Sequence, residues 1–239
     1  MMKDKMNDPL GKALLDYLDG EQDNEINVLS PDVEDDVIPV DYFFRKFDDM
    51  PEVEREALKL VRGKTLDVGA GSGCHTLGLK ENHIDVVPID TSSGCVEAMK
   101  RQNIDNARQE DIWKMQEEQF DTLLLLMNGM GYAGKIENLP QFLRQLKKLV
   151  KPGGQILFDS TDLIYLFLDD EGGAWIDLND KYIGEITYTM EYKGEKTDPF
   201  SWLFVDFDLV NEAAEMVGLQ ADKILSTKTY GYLARLTKK

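Results

Sequence analysis

The middle of the chain alternates short apolar runs with segments of helical periodicity. The apolar runs predict strands at Thr65–Val68, Asp85–Ile89, Asn106–Gln109, Thr122–Met127 and Gln155–Asp159. The segments between them predict helices at Cys74–Glu81, Gly94–Gln102, Ile112–Glu117 and Leu139–Val150, the last followed by the breaker residues Lys151-Pro152-Gly153-Gly154. Strands that alternate with helices over short connections indicate a parallel sheet covered on both faces.

The flanking segments follow other patterns. Upstream, apolar residues recur at helical spacing over 53–61 and stop before Gly63, after an aromatic segment that includes Tyr42. Downstream, alternation over Lys181–Tyr192 predicts a strand that enters a hairpin. A helix at Asp206–Val217 and strands at Ala221–Thr227 and Tyr230–Leu236 follow. We therefore predict an α/β fold with a doubly wound, mostly parallel seven-stranded sheet, an N-terminal helical extension and a β-hairpin insertion after the fifth strand.

Charge divides the chain into two regions. Residues 1–41 carry twelve Asp or Glu against three Lys, which accounts for half of the net charge of −18. Self-repulsion predicts a solvated, partly flexible arm there, with one amphipathic segment at Ala13–Leu18. The remaining residues, 42–239, are long enough for one domain with a full core. Within this domain, the β-hairpin insertion is expected at about residues 162–200.

The overall acidity also limits the partners. Nucleic acids are bound chiefly by clustered Lys and Arg, so a pI near 4.5 argues against them. The longest purely apolar run, Leu123–Met127, is far too short for a membrane span. Cys74, Cys95 and the two histidines form no recognisable zinc set, so we expect reduced thiols and no bound metal. We expect a cytoplasmic protein that acts on a small molecule; the oligomeric state stays open.

The most informative motif is a glycine-rich turn after the first predicted strand. In TLDVGAGSGCHTLGL, Asp67 is followed by glycines at positions 69, 71 and 73. Such a strand-to-helix turn leaves backbone N–H groups around a concavity that only glycine can line closely. The dinucleotide fingerprint G-x-G-x-x-G would need its third glycine at Cys74. A nicotinamide-dependent oxidoreductase is therefore a disfavoured alternative.

The turn instead resembles the first motif of class I S-adenosylmethionine-dependent methyltransferases. Further landmarks of that family follow in order: VVPID ending at Asp90, ARQE before Asp111, FDTLLLLMNGMGY, and LKKLVKPGGQILFD before the fifth strand. The resemblance covers Thr65 to Asp159. It implies S-adenosylmethionine as cofactor and methyl transfer as activity.

The resemblance also implies roles for individual residues. Asp67 would help to hold the methionine ammonium, Asp90 the ribose hydroxyls, and Asp111 with Ile112 the adenine. The expected cofactor set is completed by Gly69, Ala70, Gly71, Gly73, Thr91, Asn128 and Gly129. In an open α/β sheet these positions share the edge formed by the carboxyl ends of the strands. The alternative is that each aspartate caps a turn or helix and that Asn128-Gly129 is an ordinary turn.

Candidates for the transfer step are fewer. In-line displacement at an activated methyl needs mainly alignment, and a base only where the acceptor is protonated. His75, in the first turn of a helix, and Asp159, at the end of the fifth strand, are the catalytic candidates, although His75 could equally serve packing. Tyr42, Arg45 and Tyr132 are candidates for substrate binding. The aromatic residues expected to wall the acceptor pocket are Trp175, Tyr182, Tyr188, Tyr192 and Trp202.

These patterns together predict transfer of a methyl group to a small-molecule acceptor. A non-catalytic S-adenosylmethionine-binding sensor or partner protein is the second alternative. Neither the acceptor nor its accepting atom is identified by the sequence.

Overall fold

The structure, a computed structural model, describes residues 7–116, 118–167 and 181–238. Within these residues the α-helices are α1 (Pro9–Leu18), α2 (Glu52–Leu60), α3 (Cys74–Glu81), α4 (Ser93–Arg101), α5 (Leu139–Leu149) and α6 (Phe207–Met216). The strands are β1 (Glu25–Leu29), β2 (Asp36–Pro39), β3 (Thr65–Val68), β4 (Val86–Asp90), β5 (Arg108–Gln109), β6 (Phe120–Leu125), β7 (Val150–Thr161), β8 (Glu185–Tyr192), β9 (Glu195–Lys196), β10 (Phe200–Leu203), β11 (Leu219–Ser226) and β12 (Gly231–Lys238).

The larger sheet has seven strands in the order β11-β12-β7-β6-β3-β4-β5. The strands from β7 to β5 pair in parallel, and β12 pairs antiparallel with both β7 and β11. The chain runs outward from β3 to β5 and then returns to the other side of β3 as β6. The order therefore reverses between β3 and β6, and in open α/β sheets ligands bind outside the carboxyl ends of the strands at such a point.

Burial of apolar side chains on both faces stabilises this sheet. Leu123, Leu124 and Leu125 of β6 are fully buried, as expected for a parallel strand covered on both faces. On α5, Phe142 and Leu146 belong to a buried stripe that packs on the same core cluster. The predicted fold class is confirmed.

A second sheet, which was only partly predicted, covers the larger one. Its order is β10-β8-β1-β2, with β9 paired to β8, and its pairs are antiparallel. The expected hairpin corresponds to β8 and β9. However, residues 9–39, expected to be a solvated arm with one amphipathic segment, form α1, β1 and β2. Ile26 of β1 is fully buried in a core cluster with Leu14 and Tyr192, and Val28, which pairs with Met190, is buried as well, so this arm contributes one face of a hydrophobic core.

Asp8 fastens the N-terminal helix to the main domain. Its Oδ1 accepts the Gly11 N–H at 3.0 Å and caps α1, while Oδ2 accepts the Ser92 hydroxyl at 2.6 Å and the Gly94 N–H at 3.0 Å. The two helices touch through glycine, since a Cβ on Gly11 would lie 2.6 Å from the Gly94 Cα. One carboxylate therefore serves the first turns of both α1 and α4.

One predicted helix is absent from the described residues. In the predicted helix Ile112–Glu117, residues 112–114 form a turn, residues 115 and 116 are irregular, and Glu117 lies outside the described residues. Side chains take over the backbone hydrogen bonds there: Asp111 Oδ1 accepts the Trp113 N–H, and the Gln145 amide donates to the Ile112 and Met115 carbonyls. Such local side-chain bonds compete with a helix. Separately, the helices of the described residues include none that is long and apolar enough to cross a bilayer.

Replacing Asp8 tests whether this carboxylate holds the N-terminal helix in place. Asp8→Ala should lower the free energy of unfolding by about 1–2 kcal/mol, because α1 loses its N-cap and α4 loses an acceptor. Asp23→Ala, at an exposed position of the same segment, should change it by less than about 0.5 kcal/mol. Urea unfolding of both variants measures the difference, and equal midpoints would contradict the assignment.

Candidate active site

A cavity of about 800 Å³ lies between the two sheets, at the point where the strand order reverses. Its floor is formed by the carboxyl ends of β3 and β6, with Asp67 and Asn128. Its roof comes from the second sheet, including Val28 of β1 and Tyr188 of β8. The N-terminal arm is thus part of the wall.

The glycine-rich turn lines one side of this cavity. The N–H groups of Gly69 and Ala70 both donate to the Ile89 carbonyl, at 2.9 and 3.0 Å, which binds the turn to β4. Gly69 has φ +69°, and a Cβ there would lie 1.7 Å from the Tyr132 hydroxyl oxygen. Gly71 has φ +57° and faces open space. The left-handed conformations and the contact with Tyr132 account for glycine at this turn.

Asp67 lies at the bottom of the cavity. Its side chain is buried and accepts a hydrogen bond from the Thr76 hydroxyl at 2.7 Å, which joins the end of β3 to α3. Burial raises the pKa of Asp67 above its ordinary value despite this hydrogen bond and the nearby His75.

Asp90 supports the same turn from β4. Its carboxylate accepts the N–H groups of Gly71 and Ser92, each at 2.9 Å, and burial raises its pKa. Ser92, not Asp90, is the N-cap of α4. Asp90 is not part of the cavity wall among the described residues. Burial and then the charge of Asp90 raise the pKa of Tyr132 well above its usual value.

The other predicted cofactor residues have mixed positions. Asp111 caps its own turn at Trp113 and pairs with Lys114 at 2.9 Å, and Ile112 is buried in the core. Six predicted cofactor residues lie outside the described cavity wall: Gly73, Asp90, Thr91, Asp111, Ile112 and Gly129. Those that the structure brings together in the wall are Asp67, Gly69, Ala70, Gly71 and Asn128.

Asn128 and Asp159 meet at the ends of β6 and β7. The Asn128 N–H points at both Asp159 carboxylate oxygens, at 3.1 Å each. Asp159 is 8% exposed and lines the cavity, and burial raises its pKa to about 7. Asn128 has φ +59°, and its buried Oδ1 has no hydrogen-bond partner among the described residues. Asn128 itself lines the cavity, so this wall carries a buried acceptor without a partner.

A buried charge cluster, which the sequence analysis missed, adjoins the cavity. Glu54 Oε2 accepts hydrogen bonds from the Arg45 guanidinium at 2.6 and 3.2 Å and lies 2.8 Å from His75 Nε2. Although burial raises the pKa of Glu54, the hydrogen bond and charge of His75 and then those of Arg45 hold it below its usual value. The His75–Glu54 contact commits Nε2, so only Nδ1 of this ring is left for a base role.

Of the three residues predicted to bind the substrate, two line the cavity and one does not. Arg45 is turned towards Glu54, with its guanidinium 4.0 Å from the centre of the Tyr42 ring, and lies outside the described cavity wall. Tyr42 and Tyr132 line the cavity.

The predicted aromatic wall is only partly found. Tyr188 and Trp202 line the cavity. By contrast, Tyr182 and Tyr192 lie outside the described cavity wall, which differs from the prediction. The Tyr182 hydroxyl donates to Asp206 and the Tyr192 hydroxyl to Asp16. Trp175 lies outside the described residues.

Comparisons with known proteins identify the family. Residues 66–158 match the family model described as a methyltransferase domain. The chain is also 42% identical to a SAM-dependent methyltransferase from Bacteroides fragilis, whose crystal structure contains S-adenosyl-L-homocysteine. That match covers 100% of this chain and 98% of the other, with a TM-score of 0.91. This chain belongs to the SAM-dependent methyltransferases.

More distant structures share the methyltransferase fold. CcbJ from Streptomyces caelestis is 13% identical over 80% of this methyltransferase and 94% of its own chain, with a TM-score of 0.61. A S-adenosylmethionine-dependent methyltransferase from Clostridium acetobutylicum is 13% identical over 80% and 93%, with a TM-score of 0.59. No curated protein matches the sequence significantly. The expectation of a SAM-dependent methyltransferase is confirmed, and the nicotinamide alternative is set aside.

The cavity of this methyltransferase fits its cofactor, S-adenosylmethionine. Gly71 faces open space where a ligand can approach the backbone, and Asn128 offers an unpaired buried acceptor to an amine or hydroxyl donor. Asp67 supplies a carboxylate at the same edge. Within the described residues, no group of three or more His, Cys, Asp or Glu side chains is placed to hold a metal ion.

Glu54 should be needed for the stability of this methyltransferase. Glu54→Gln should lower the free energy of unfolding by about 3–5 kcal/mol, because the buried Arg45 loses its counter-charge. Since the pKa of Glu54 is held low, this stabilisation is present at neutral pH and is lost as the pH falls through that pKa.

Glu56→Gln is the matched control on α2. Glu56 forms an exposed pair with Lys59, so its loss should change the free energy of unfolding by less than about 1 kcal/mol. Denaturant titrations at pH 7 and at acidic pH measure both effects. Equal losses in the two variants would show that the buried cluster contributes no more than a surface pair.

Proposed function

We propose that this enzyme transfers the methyl group of S-adenosylmethionine to a small-molecule acceptor by in-line displacement. The observation that carries the proposal is the cavity itself. Its volume of about 800 Å³ lies within the range of small-molecule sites, and the second sheet roofs it above the glycine turn.

The floor of the cavity would bind the cofactor. When bound, S-adenosylmethionine supplies an electrophilic methyl group on a sulfonium. The backbone at Gly71 would lie against it, while Asp67 and the unpaired Asn128 Oδ1 would accept hydrogen bonds from its ammonium or hydroxyl groups.

Asp90 and Asp111 would take part after a side-chain movement. We place the ribose hydroxyls at Asp90 and the adenine near Asp111, as the family pattern implies. The Tyr132 hydroxyl lies over Gly69, and Asp90 lies outside the described cavity wall. Contact between Asp90 and the ribose would therefore require a wall side chain, such as Tyr132, to move.

The remaining walls would orient the acceptor and take up its proton. As the new bond forms to the methyl carbon and the carbon–sulfur bond breaks, the attacking O–H or N–H becomes acidic. Asp159 lies on the cavity wall and has a pKa of about 7, so its ionised form can accept that proton at neutral pH. Aromatic side chains in the roof, such as Tyr188 and Trp202, would form an apolar surface over the reacting groups.

Transfer of label tests the proposal directly. The purified enzyme, supplied with S-adenosylmethionine labelled in the methyl group and with a fractionated metabolite extract, should move the label to a product of low molecular mass. Label confined to the protein fraction, or no transfer despite measured cofactor binding, would contradict a small-molecule acceptor.

The same assay tests the role of Asp159 through its pH dependence. Asp159 acts as a base only when it is ionised. Because burial raises its pKa to about 7, kcat/KM should rise with pH through about 7 and then level off. Asp159→Asn should reduce the rate by a factor of about 10²–10⁴ and remove that rise. A wild-type pH profile that persists in the variant would assign the base elsewhere.

Asp90 should contribute to cofactor affinity. Asp90→Ala should weaken S-adenosylhomocysteine binding by about 1–3 kcal/mol through loss of charge-assisted hydrogen bonds. Asp85→Ala is the control, because Asp85 is exposed and precedes the same strand at its opposite end. Titration calorimetry compares the two. An unchanged affinity in the Asp90 variant would limit Asp90 to its hydrogen bonds with Gly71 and Ser92.

A further inference from the structure

The charges around the cavity are strongly one-sided. Its wall contains six carboxylates and one histidine, and no Lys or Arg belongs to the wall within the described part of the chain. The acidic wall residues are Glu34, Asp35, Asp36, Glu54, Asp67 and Asp159. The nearest buried cation, Arg45, is already paired with Glu54.

These carboxylates fall into two groups with different surroundings. The deep group, Glu54, Asp67 and Asp159, is buried and hydrogen-bonded. The acidic mouth, defined as residues 34–36 at the start of β2, is exposed. Salt bridges of the described residues involve none of its three acids, whereas Asp32 in the same loop pairs with Lys181. Three uncompensated negative charges therefore surround the opening.

Aromatic rings connect the glycine turn to the acidic mouth. The Tyr132 ring, which packs over Gly69 of the glycine turn, has its centre 5.0 Å from that of the Trp202 ring. The ring centres of Trp202 and Phe200 are 6.3 Å apart, as are those of Phe200 and Tyr188. Tyr188 lies at the same end of the second sheet as the mouth, because Val28 of β1 pairs with Asp36 on one side and with Met190, two positions from Tyr188, on the other. All four rings line the cavity.

We infer that the acceptor is an amine with an aromatic or apolar body, whose ammonium group is held at the acidic mouth while its body lies along these rings; the O–H or N–H that accepts the methyl group is a separate group of the same molecule. The inference rests on the proposed function, because it describes what occupies the acceptor side of that cavity. Faces of Tyr and Trp attract cations, and carboxylates at the mouth add to that attraction. An anionic acceptor would meet unpaired carboxylates without a counter-ion, which disfavours it.

Position along the cavity separates this role from cofactor binding. The acidic mouth belongs to β2 and the loop before it, in the second sheet, whereas the glycine turn and Asp67 belong to the end of β3 in the first sheet. The sulfonium and ammonium of the cofactor can be matched by the deep group. The acidic mouth is then free to bind a second cation, the ammonium group of the acceptor.

Binding of matched probes to the enzyme saturated with S-adenosylhomocysteine tests the inference. Each probe set keeps one arylethyl body and changes the polar group attached to it: 2-phenylethylamine, 2-phenylethanol and 3-phenylpropanoate, with tryptamine, tryptophol and indole-3-propanoate as the larger set. Ligand-detected NMR titration gives the affinities. The amines should bind on the order of tenfold more tightly than the alcohols, and more tightly still than the carboxylates.

A charge-removing variant locates the preference. Glu34→Gln/Asp35→Asn/Asp36→Asn keeps side-chain carbonyl acceptors for the bonds that Asp35 and Asp36 make to the backbone N–H groups of Ser30 and Val37. It should lose most of the preference for amines. The matched control, Asp48→Asn/Asp49→Asn/Glu52→Gln, removes the same charge from exposed positions outside the cavity wall and should keep the preference.

The outcomes separate the two proposals. Equal or tighter binding of alcohols or carboxylates, no binding by any probe, or an amine preference that survives in the mouth variant would overturn the inference. If label from S-adenosylmethionine then still reaches a neutral or acidic small molecule, the proposed function stands without it. Absence of any labelled small molecule would instead remove the proposed function.

Discussion

The buried carboxylate of Glu54 is the contact on which the geometry of the site depends. It joins three pieces of chain: the segment before α2 through Arg45, α2 itself, and, beyond β3, the first turn of α3 through His75. The Ser72 hydroxyl adds a second link, by donating to the Phe43 carbonyl. Because an unpaired buried charge is costly, Arg45 and Glu54 hold each other in place. The glycine turn and the wall around Tyr42 are thereby fixed relative to one another.

The sequence predicted the order of the main elements because periodicity reports local burial. Continuous apolar runs such as Leu123–Leu125 are typical of strands covered on both faces, and the return of β6 to β3 follows from the usual topology. The N-terminal arm was mispredicted for the opposite reason. Its acidity suggested solvation, yet Val28 pairs with Met190, 162 positions away, and a charge count carries no signal of such a partner.

Site prediction failed at side chains whose partners are remote in sequence. The motif residues Asp67 and Gly71 lie together in the cavity wall, as a motif held in one local turn predicts. Glu54 was missed, although a signal existed: it occupies the apolar stripe of α2, three and four positions before the buried Ala57 and Leu58. A carboxylate in such a stripe is expected to have a buried partner. The position of Tyr132 over Gly69 has no comparable sequence signal.

The two sheets divide the chemistry of the cavity between them. The parallel sheet presents backbone groups and buried carboxylates at strand ends, where position is fixed by the pairing of β3 with β4 and β6. The antiparallel sheet presents rings and exposed acids on strands that do not pair with the parallel sheet within the described residues. On the proposed function, the cofactor side is therefore constrained by the core of the fold, while the acceptor side can change with its own sheet. A family that shares the first sheet can then act on different acceptors, since specificity requires no change in the strands that hold the methyl donor.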